Sequence, residues 1–124
     1  MTTRPRRVLV VDDSVDTAEM LALFLSAHGH DTRVVHDGPA AIEEADRFRP
    51  QVVLLDLSMP GVSGIDVCRE LRQQPWGGGM FIVALTGWTG ERHRSESAAA
   101  GFDLYLTKPV EPNALLSVLQ RSPT

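Results

Sequence analysis

Asp12, Asp13, Asp56, Thr86 and Lys108 are the residues whose types and placement could do chemistry together. Asp12 and Asp13 follow the apolar run Val8–Val11, Asp56 follows Val52–Leu55, and Thr86 follows Phe81–Leu85. Lys108 closes the short run Leu104-Tyr105-Leu106-Thr107. A continuous apolar run reads as a strand buried on both faces, the usual state in a parallel sheet. Such a strand ends on a carboxylate only where that carboxylate emerges into a pocket, because an unpaired buried charge is expensive. If the first and third strands are neighbours, three carboxylates converge, and like charges that close cannot all ionise without help. A divalent cation is the natural remedy. Oxygen-only ligands favour a hard ion, Mg²⁺ or Mn²⁺, over zinc.

Lys108 is the only lysine, beside eleven arginines. A compact charge on a flexible stem is how lysine binds phosphate. Thr86 adds a hydroxyl donor at the same edge. A carboxylate nucleophile, a hard cation, a lysine and a hydroxyl together make a site for phosphoryl transfer to an aspartate. Positioning and charge neutralisation supply most of the catalysis there. Taken singly, each signal is weak. An Asp-Asp pair after a strand is more often a helix cap, a strand-end aspartate is commonly a turn residue, and a Lys-Pro pair says nothing. Their joint occurrence, each at its own strand end, carries the reading.

The elements that must position these residues follow from periodicity and punctuation. Ser14 can cap a helix in which Ala18, Leu21, Ala22, Leu25 and His28 recur at helical spacing, up to Gly29. Arg33-Val34-Val35 is a short strand. Gly38-Pro39 starts a helix with Ala41, Ile42, Ala45 and Phe48 on its apolar face, ended by Pro50. Leu57 to Gly61 is a loop, and Gly64 to Gln73 a helix packed on a sheet. Pro75-Trp76-Gly77-Gly78-Gly79 reads as a flexible connection. Glu91 to Ala100 is a helix by propensity, stopping at Gly101, and Pro112 starts a last helix with Leu115, Leu116, Val118 and Leu119 inward. Strict alternation of strand and helix demands a parallel sheet with right-handed crossovers and helices on both faces. The expected fold is α/β, a doubly wound sheet of five strands.

Composition narrows the class. The 124 residues make one domain, with 43% hydrophobic and 23% charged residues. The net charge of −4 argues against general nucleic-acid affinity, and the basic Arg4-Pro5-Arg6-Arg7 is a solvated tail. No stretch has membrane-spanning length and no signal peptide is evident, so a cytoplasmic location is expected. The single cysteine, Cys68, excludes an internal disulfide and reads as a small core hydrophobe. His28, His30, His36 and His93 are expected in surface or helix-cap roles rather than as metal ligands.

The motifs Val-Asp12-Asp13-Ser, Leu-Leu-Asp56-Leu-Ser-Met-Pro60-Gly61-Val-Ser-Gly64, Ala84-Leu-Thr86-Gly and Tyr105-Leu-Thr-Lys108-Pro109 resemble those of the receiver domain of two-component response regulators, the CheY-like superfamily. The resemblance runs from Val8 to about Leu119. It implies a flavodoxin-like (βα)5 fold with strand order 2-1-3-4-5. It implies that Asp56 accepts a phosphoryl group from a phosphohistidine of a sensor histidine kinase or histidine phosphotransfer protein. Asp13 and Asp56 would bind Mg²⁺ directly, with the backbone carbonyl of Ser58 as a third ligand and Asp12 acting largely through water. Lys108 and Thr86 would each meet a phosphoryl oxygen, Tyr105 would be the aromatic switch residue, and the Lys108–Pro109 bond would be cis. Ser58 and Trp88 hold the positions that tune phosphoryl loss. The switching surface would be the helix over 91–100, the fifth strand and the last helix.

On this reading the chain is a single receiver domain over 1–124, with a core of about 7–120 and no output domain. It is either a stand-alone regulator or a receiver from a hybrid kinase. It would be a signalling switch rather than an enzyme, taking part only in its own phosphorylation and dephosphorylation. It would act on a downstream protein partner, with no direct DNA binding and no membrane contact, and with a possible homodimer on phosphorylation. Two other classes are disfavoured by particular residues. A haloacid dehalogenase-like phosphatase wants an acid two residues after its nucleophile, where Ser58 stands. In a flavodoxin-type carrier, Asp12 and Asp13 would repel the FMN phosphate.

Overall fold

The computed structural model describes residues 5–57, 59, 63–87 and 100–121. Strand β1 (Arg7–Val11) leads to helix α1 (Val15–Ala27), β2 (Asp31–Val35) to α2 (Gly38–Phe48), and β3 (Val52–Asp56) to α3 (Gly64–Gln73). Strands β4 (Phe81–Thr86) and β5 (Leu104–Thr107) follow, then helix α4 (Pro112–Arg121). All strand pairs are parallel, in the order β2-β1-β3-β4-β5. This is the doubly wound order expected. Of the helix expected over 91–100, residues 91–99 lie outside the described residues, as do Ser58, Pro60, Gly61, Trp88, His93 and Arg4.

The central strands carry no alternation because both their faces are covered. Leu9, Val11, Val53, Leu55 and Ile82 pack one way, with Ala41 and Ala45 of α2 and Val67, Cys68 and Leu71 of α3. Val8, Val10, Val52, Leu54, Val83 and Leu85 pack the other way, with Ala18 and Leu25 of α1 and Leu115, Val118 and Leu119 of α4. Removing each of the valine, leucine and isoleucine side chains from water contributes about 1.5–3 kcal/mol before entropy is counted. The helix starts follow capping chemistry. The Ser14 hydroxyl accepts from the Thr17 N–H, Asp37 Oδ1 accepts from the Ala40 N–H at 2.7 Å, and Ser63 Oγ accepts from the Ile65 N–H at 3.1 Å.

Several local expectations change. The basic segment expected as a solvated tail is not one over its described part: Arg6 is buried and Arg7 is the first residue of β1. β2 begins two residues earlier, at Asp31, because the Asp31 N–H donates to the Arg6 carbonyl at 2.9 Å. β4 and β5 each run on to a threonine, so that Thr86 pairs with Thr107 at the edge. α2 ends on Arg49 in the left-handed conformation, φ 51°, one residue before Pro50. His30 is neither a surface nor a cap residue. It is buried, its Nδ1 accepts the Arg6 N–H at 3.1 Å, and burial pushes its pKa down. His28 does follow expectation as the exposed C-cap of α1, with Nδ1 2.9 Å from the Phe24 carbonyl. Cys68 is a core residue as expected, and burial pushes its thiol up to about 11.

The glycine segment before β4 is held rather than flexible. Gly77–Gly79 form a 3-10 turn, Trp76 packs on the core, and the Arg72 guanidinium donates to the Gly77 carbonyl at 2.9 Å and the Met80 carbonyl at 2.7 Å. A Cβ on Gly77 would strike the Leu71 carbonyl, with Arg72 Cα 3.1 Å away, and backbone there cannot yield. Gly77→Ala should therefore lower the free energy of unfolding by about 1–3 kcal/mol. Added carbons at Gly78 and Gly79 meet nothing within 4 Å, so those alanine variants should stay within about 0.5 kcal/mol of wild type. Urea unfolding checks this, and a flexible connection would treat all three glycines alike.

Candidate functional site

The sheet order places the carboxyl ends of β1 and β3 side by side, with Val11 opposite Leu55. Asp12 is the first residue beyond β1 and Asp56 the last of β3. One carboxylate oxygen from each of Asp12, Asp13 and Asp56 lies within 4.8 Å of the others. Asp12 and Asp56 are 0% and 2% exposed, whereas Asp13 faces solvent. The three carboxylates expected to converge do so.

Lys108 faces them. Its Nζ is 3.3 Å from Asp12 Oδ2 and 3.3 Å from Asp56 Oδ1. The loop after β5 is tied to β4 by the Lys108 N–H, which donates to the Thr86 carbonyl at 2.8 Å. The Lys108–Pro109 bond is cis, as expected. Thr86 is buried at the end of β4. Tyr105, paired in register with Ala84, is half-buried on β5. Ser58 and Trp88 lie outside the described residues, so neither the carbonyl expected of the first nor the tuning role of either enters the geometry.

The electrostatics follow from this crowding. Burial pushes the Asp12 pKa up; the Ser14 N–H, donating to Oδ1 at 2.9 Å, opposes it; the charge of Asp56 pushes the same way as burial, and Lys108 opposes both. For Lys108, burial works to lower the pKa, but Asp56 and Asp12 together hold it above the ordinary lysine value. One ammonium against three carboxylates leaves an excess of negative charge. A donor set made only of carboxylate oxygens, partly exposed through Asp13, suits a hard divalent cation. Such a cation would lie among Asp12, Asp13 and Asp56.

His36 is exposed, as expected, but its contact at this edge was not anticipated: the first residue after β2, it has Nδ1 2.9 Å from the carbonyl oxygen of Asp12. Its place directly after the second strand is the sequence signal that points to it.

The sequence model of the response regulator receiver domain matches residues 8–120. The DNA-binding response regulator MtrA of Mycobacterium bovis is 43% identical over 117 residues, which are 94% of this chain and 50% of that protein. The chain thus spans about half the length of the curated relatives it matches. Among solved structures, the Vibrio cholerae chemotaxis protein CheY4 superposes with a TM-score of 0.91 at 31% identity, covering 96% of this chain and 99% of that one. The receiver domain of a Pseudomonas aeruginosa sensor histidine kinase, solved with magnesium coordinated in its active-site cleft, has a TM-score of 0.87 at 30% identity, covering 96% and 98%. The relatives correct one expectation. Direct DNA binding was excluded from net charge and chain length, but relatives at 43% identity are named DNA-binding response regulators. The charge of a segment that spans half of such a protein does not report on the other half. Among the described residues, no helix is long and apolar enough to cross a membrane.

The raised pKa of Asp12 has a consequence for stability. In the pH window above the ordinary value of 3.8, the folded chain binds more protons than the unfolded one. Stability through this group therefore falls as pH rises across that window. In chelator, Asp12→Asn should stabilise the protein at neutral pH by about 0.5–2 kcal/mol, and should flatten the pH dependence above 3.8. Urea midpoints over a pH series measure both. A lower midpoint at neutral pH would contradict the assignment of desolvation and repulsion as the dominant effects.

Proposed function

The chain belongs to the response regulator receiver domain family, a signalling module of two-component systems, and on that premise we propose that Asp56 is its phosphoacceptor. The observation that carries this is Lys108 Nζ lying 3.3 Å from both Asp12 and Asp56 at the mouth of the acidic cluster. In this reading, an oxygen of the Asp56 carboxylate attacks the phosphorus of a phosphohistidine. The new O–P bond forms as the N–P bond breaks, and the imidazole leaves with its electron pair and takes up a proton. Asp13 and Asp56 would ligate Mg²⁺ or Mn²⁺ directly, with Asp12 acting largely through water and the Ser58 carbonyl completing the protein ligands. The cation, when bound, neutralises the carboxylates and the incoming phosphoryl oxygens.

Lys108, already paired with two carboxylates, would transfer its contact to a phosphoryl oxygen without travelling far. Thr86 would donate its hydroxyl to another. Tyr105 would then turn toward the space beside β5, changing the surface made by the segment over 91–100, β5 and α4. Ser58 and Trp88 would set how long the phosphoryl group lasts. We read the chain as a switch that assists its own phosphorylation and dephosphorylation rather than as a turnover enzyme. One receiver domain occupies about 7–120, and its setting is cytoplasmic.

Acetyl phosphate with Mg²⁺ should add one phosphoryl group, seen by intact mass. Asp56→Asn and excess chelator should each abolish it. Labelling that persists in Asp56→Asn would sink the assignment. Lys108→Arg should not restore switching, because a planar guanidinium cannot replace a point charge on a thin stem. Hydrogen exchange with and without beryllofluoride measures this: wild type should change over 86–106, and the arginine variant should not.

A further inference from the structure

The side chains of Asp12 are fully accounted for: Oδ1 accepts from the Ser14 N–H and Oδ2 meets Lys108. Its backbone is another matter. Asp12 lies just beyond the last paired residue of β1, so the ladder to β3 no longer serves it. Its N–H donates to the Val35 carbonyl at a long 3.2 Å. Its carbonyl meets the ring of His36, Nδ1 at 2.9 Å. A carbonyl only accepts, so Nδ1 carries the proton. The ring is itself well placed, since His36 sits between the end of β2 and Asp37, the N-cap of α2.

That carbonyl belongs to the peptide plane joining Asp12 to Asp13. Asp13 is exposed, and among the described residues its carboxylate has no hydrogen bond of its own. Where its oxygens point therefore depends on the backbone beneath them. His36 holds this plane at its carbonyl, Val35 holds the N–H of the plane before it, and the Asp13 carboxylate that follows lies within 4.8 Å of those of Asp12 and Asp56. We infer that His36 is a positioning residue of the acidic edge: by donating Nδ1–H to the Asp12 carbonyl, it orients Asp13 for the cation. The inference rests on the reading of the edge as a Mg²⁺ site. It assigns His36 neither ligation nor proton transfer.

The test uses the whole chain, Mg²⁺ alone, and calorimetric titration. His36→Ala should weaken Mg²⁺ binding about three- to tenfold, less than the roughly ten- to hundredfold that follows loss of a ligand's own hydrogen-bond partner, because His36 acts through the backbone. His36→Asn should restore it to within about twofold of wild type. The asparagine amide nitrogen, like Nδ1, stands two bonds from Cβ, so it can make the same donation. Unfolding in chelator should be alike for the two variants, which separates positioning from folding. If wild type binds Mg²⁺ and His36→Ala binds equally well, or if His36→Asn is no better than His36→Ala, the inference falls alone. If wild type takes no Mg²⁺, the reading of the site falls and takes the inference with it. A second measurement needs no variant: ring ¹⁵N shifts of neutral His36 should report the Nδ1–H tautomer. An Nε2–H tautomer would overturn the hydrogen bond on which the inference stands.

Discussion

The repulsion between Asp12 and Asp56 is the constraint on which the rest depends. Two carboxylates, 0% and 2% exposed, share one edge of a sheet whose interior is mostly aliphatic. Such a pair is tolerated only with a counter-charge, and Lys108 supplies it from the far side of the sheet through β5. The ammonium balances part of the charge and no more. The surplus suits the edge to a cation, and under the proposed function Lys108, shared between two carboxylates, would move to a phosphoryl oxygen. The family's chemistry is thus legible as an imbalance left in place.

Much of this was legible in the sequence, for definite reasons. Strands buried on both faces are written as unbroken apolar runs, so Val8–Val11, Val52–Leu55 and Phe81–Leu85 stood out and their ends pointed at Asp12, Asp56 and Thr86. Helix α3 runs from Gly64 to Gln73 as its apolar positions predict, and the structure adds Ser63 as its cap. The edge strand β2 was harder. Its burial is partial, so Asp31 and Thr32 lack the apolar mark, and the backbone bond from Asp31 to Arg6 that recruits them is not visible in side-chain types.

The other misreadings share a cause. The triple glycine looked loose because composition alone suggests freedom, yet Arg72 is a long-range partner whose guanidinium binds two carbonyls of that turn. His30 looked like a surface residue because histidine commonly is one, whereas the sheet base places it against the Arg6 amide. His36 is exposed as expected, but its hydrogen bond was missed because the partner is a backbone carbonyl 24 residues away. In each case the deciding contact is to main chain, which carries no letter in the sequence.

Arg72 shows how the scaffold keeps the acidic edge in register from a distance. Its guanidinium also donates to the Gly101 carbonyl at 3.0 and 2.8 Å and to Asp103 Oδ2 at 2.7 Å, and the same Oδ2 accepts the Ile82 N–H at 2.8 Å. One side chain of α3 thereby fixes the start of β4 and the approach to β5. Those strands carry Thr86 and Lys108 at their other ends. A strand rises about 3.3 Å per residue, so a slip of one residue at Asp103 would move Lys108 by about the length of its own salt bridges, and one at Ile82 would move Thr86 as far. It would also turn the side chains of the slipped strand to the opposite face. The interval between Lys108 and the two carboxylates is thus set twice, by charge at the carboxyl edge and by this clasp at the opposite one. A charge cluster that must stay unbalanced can be held in place only by bonds that do not belong to it.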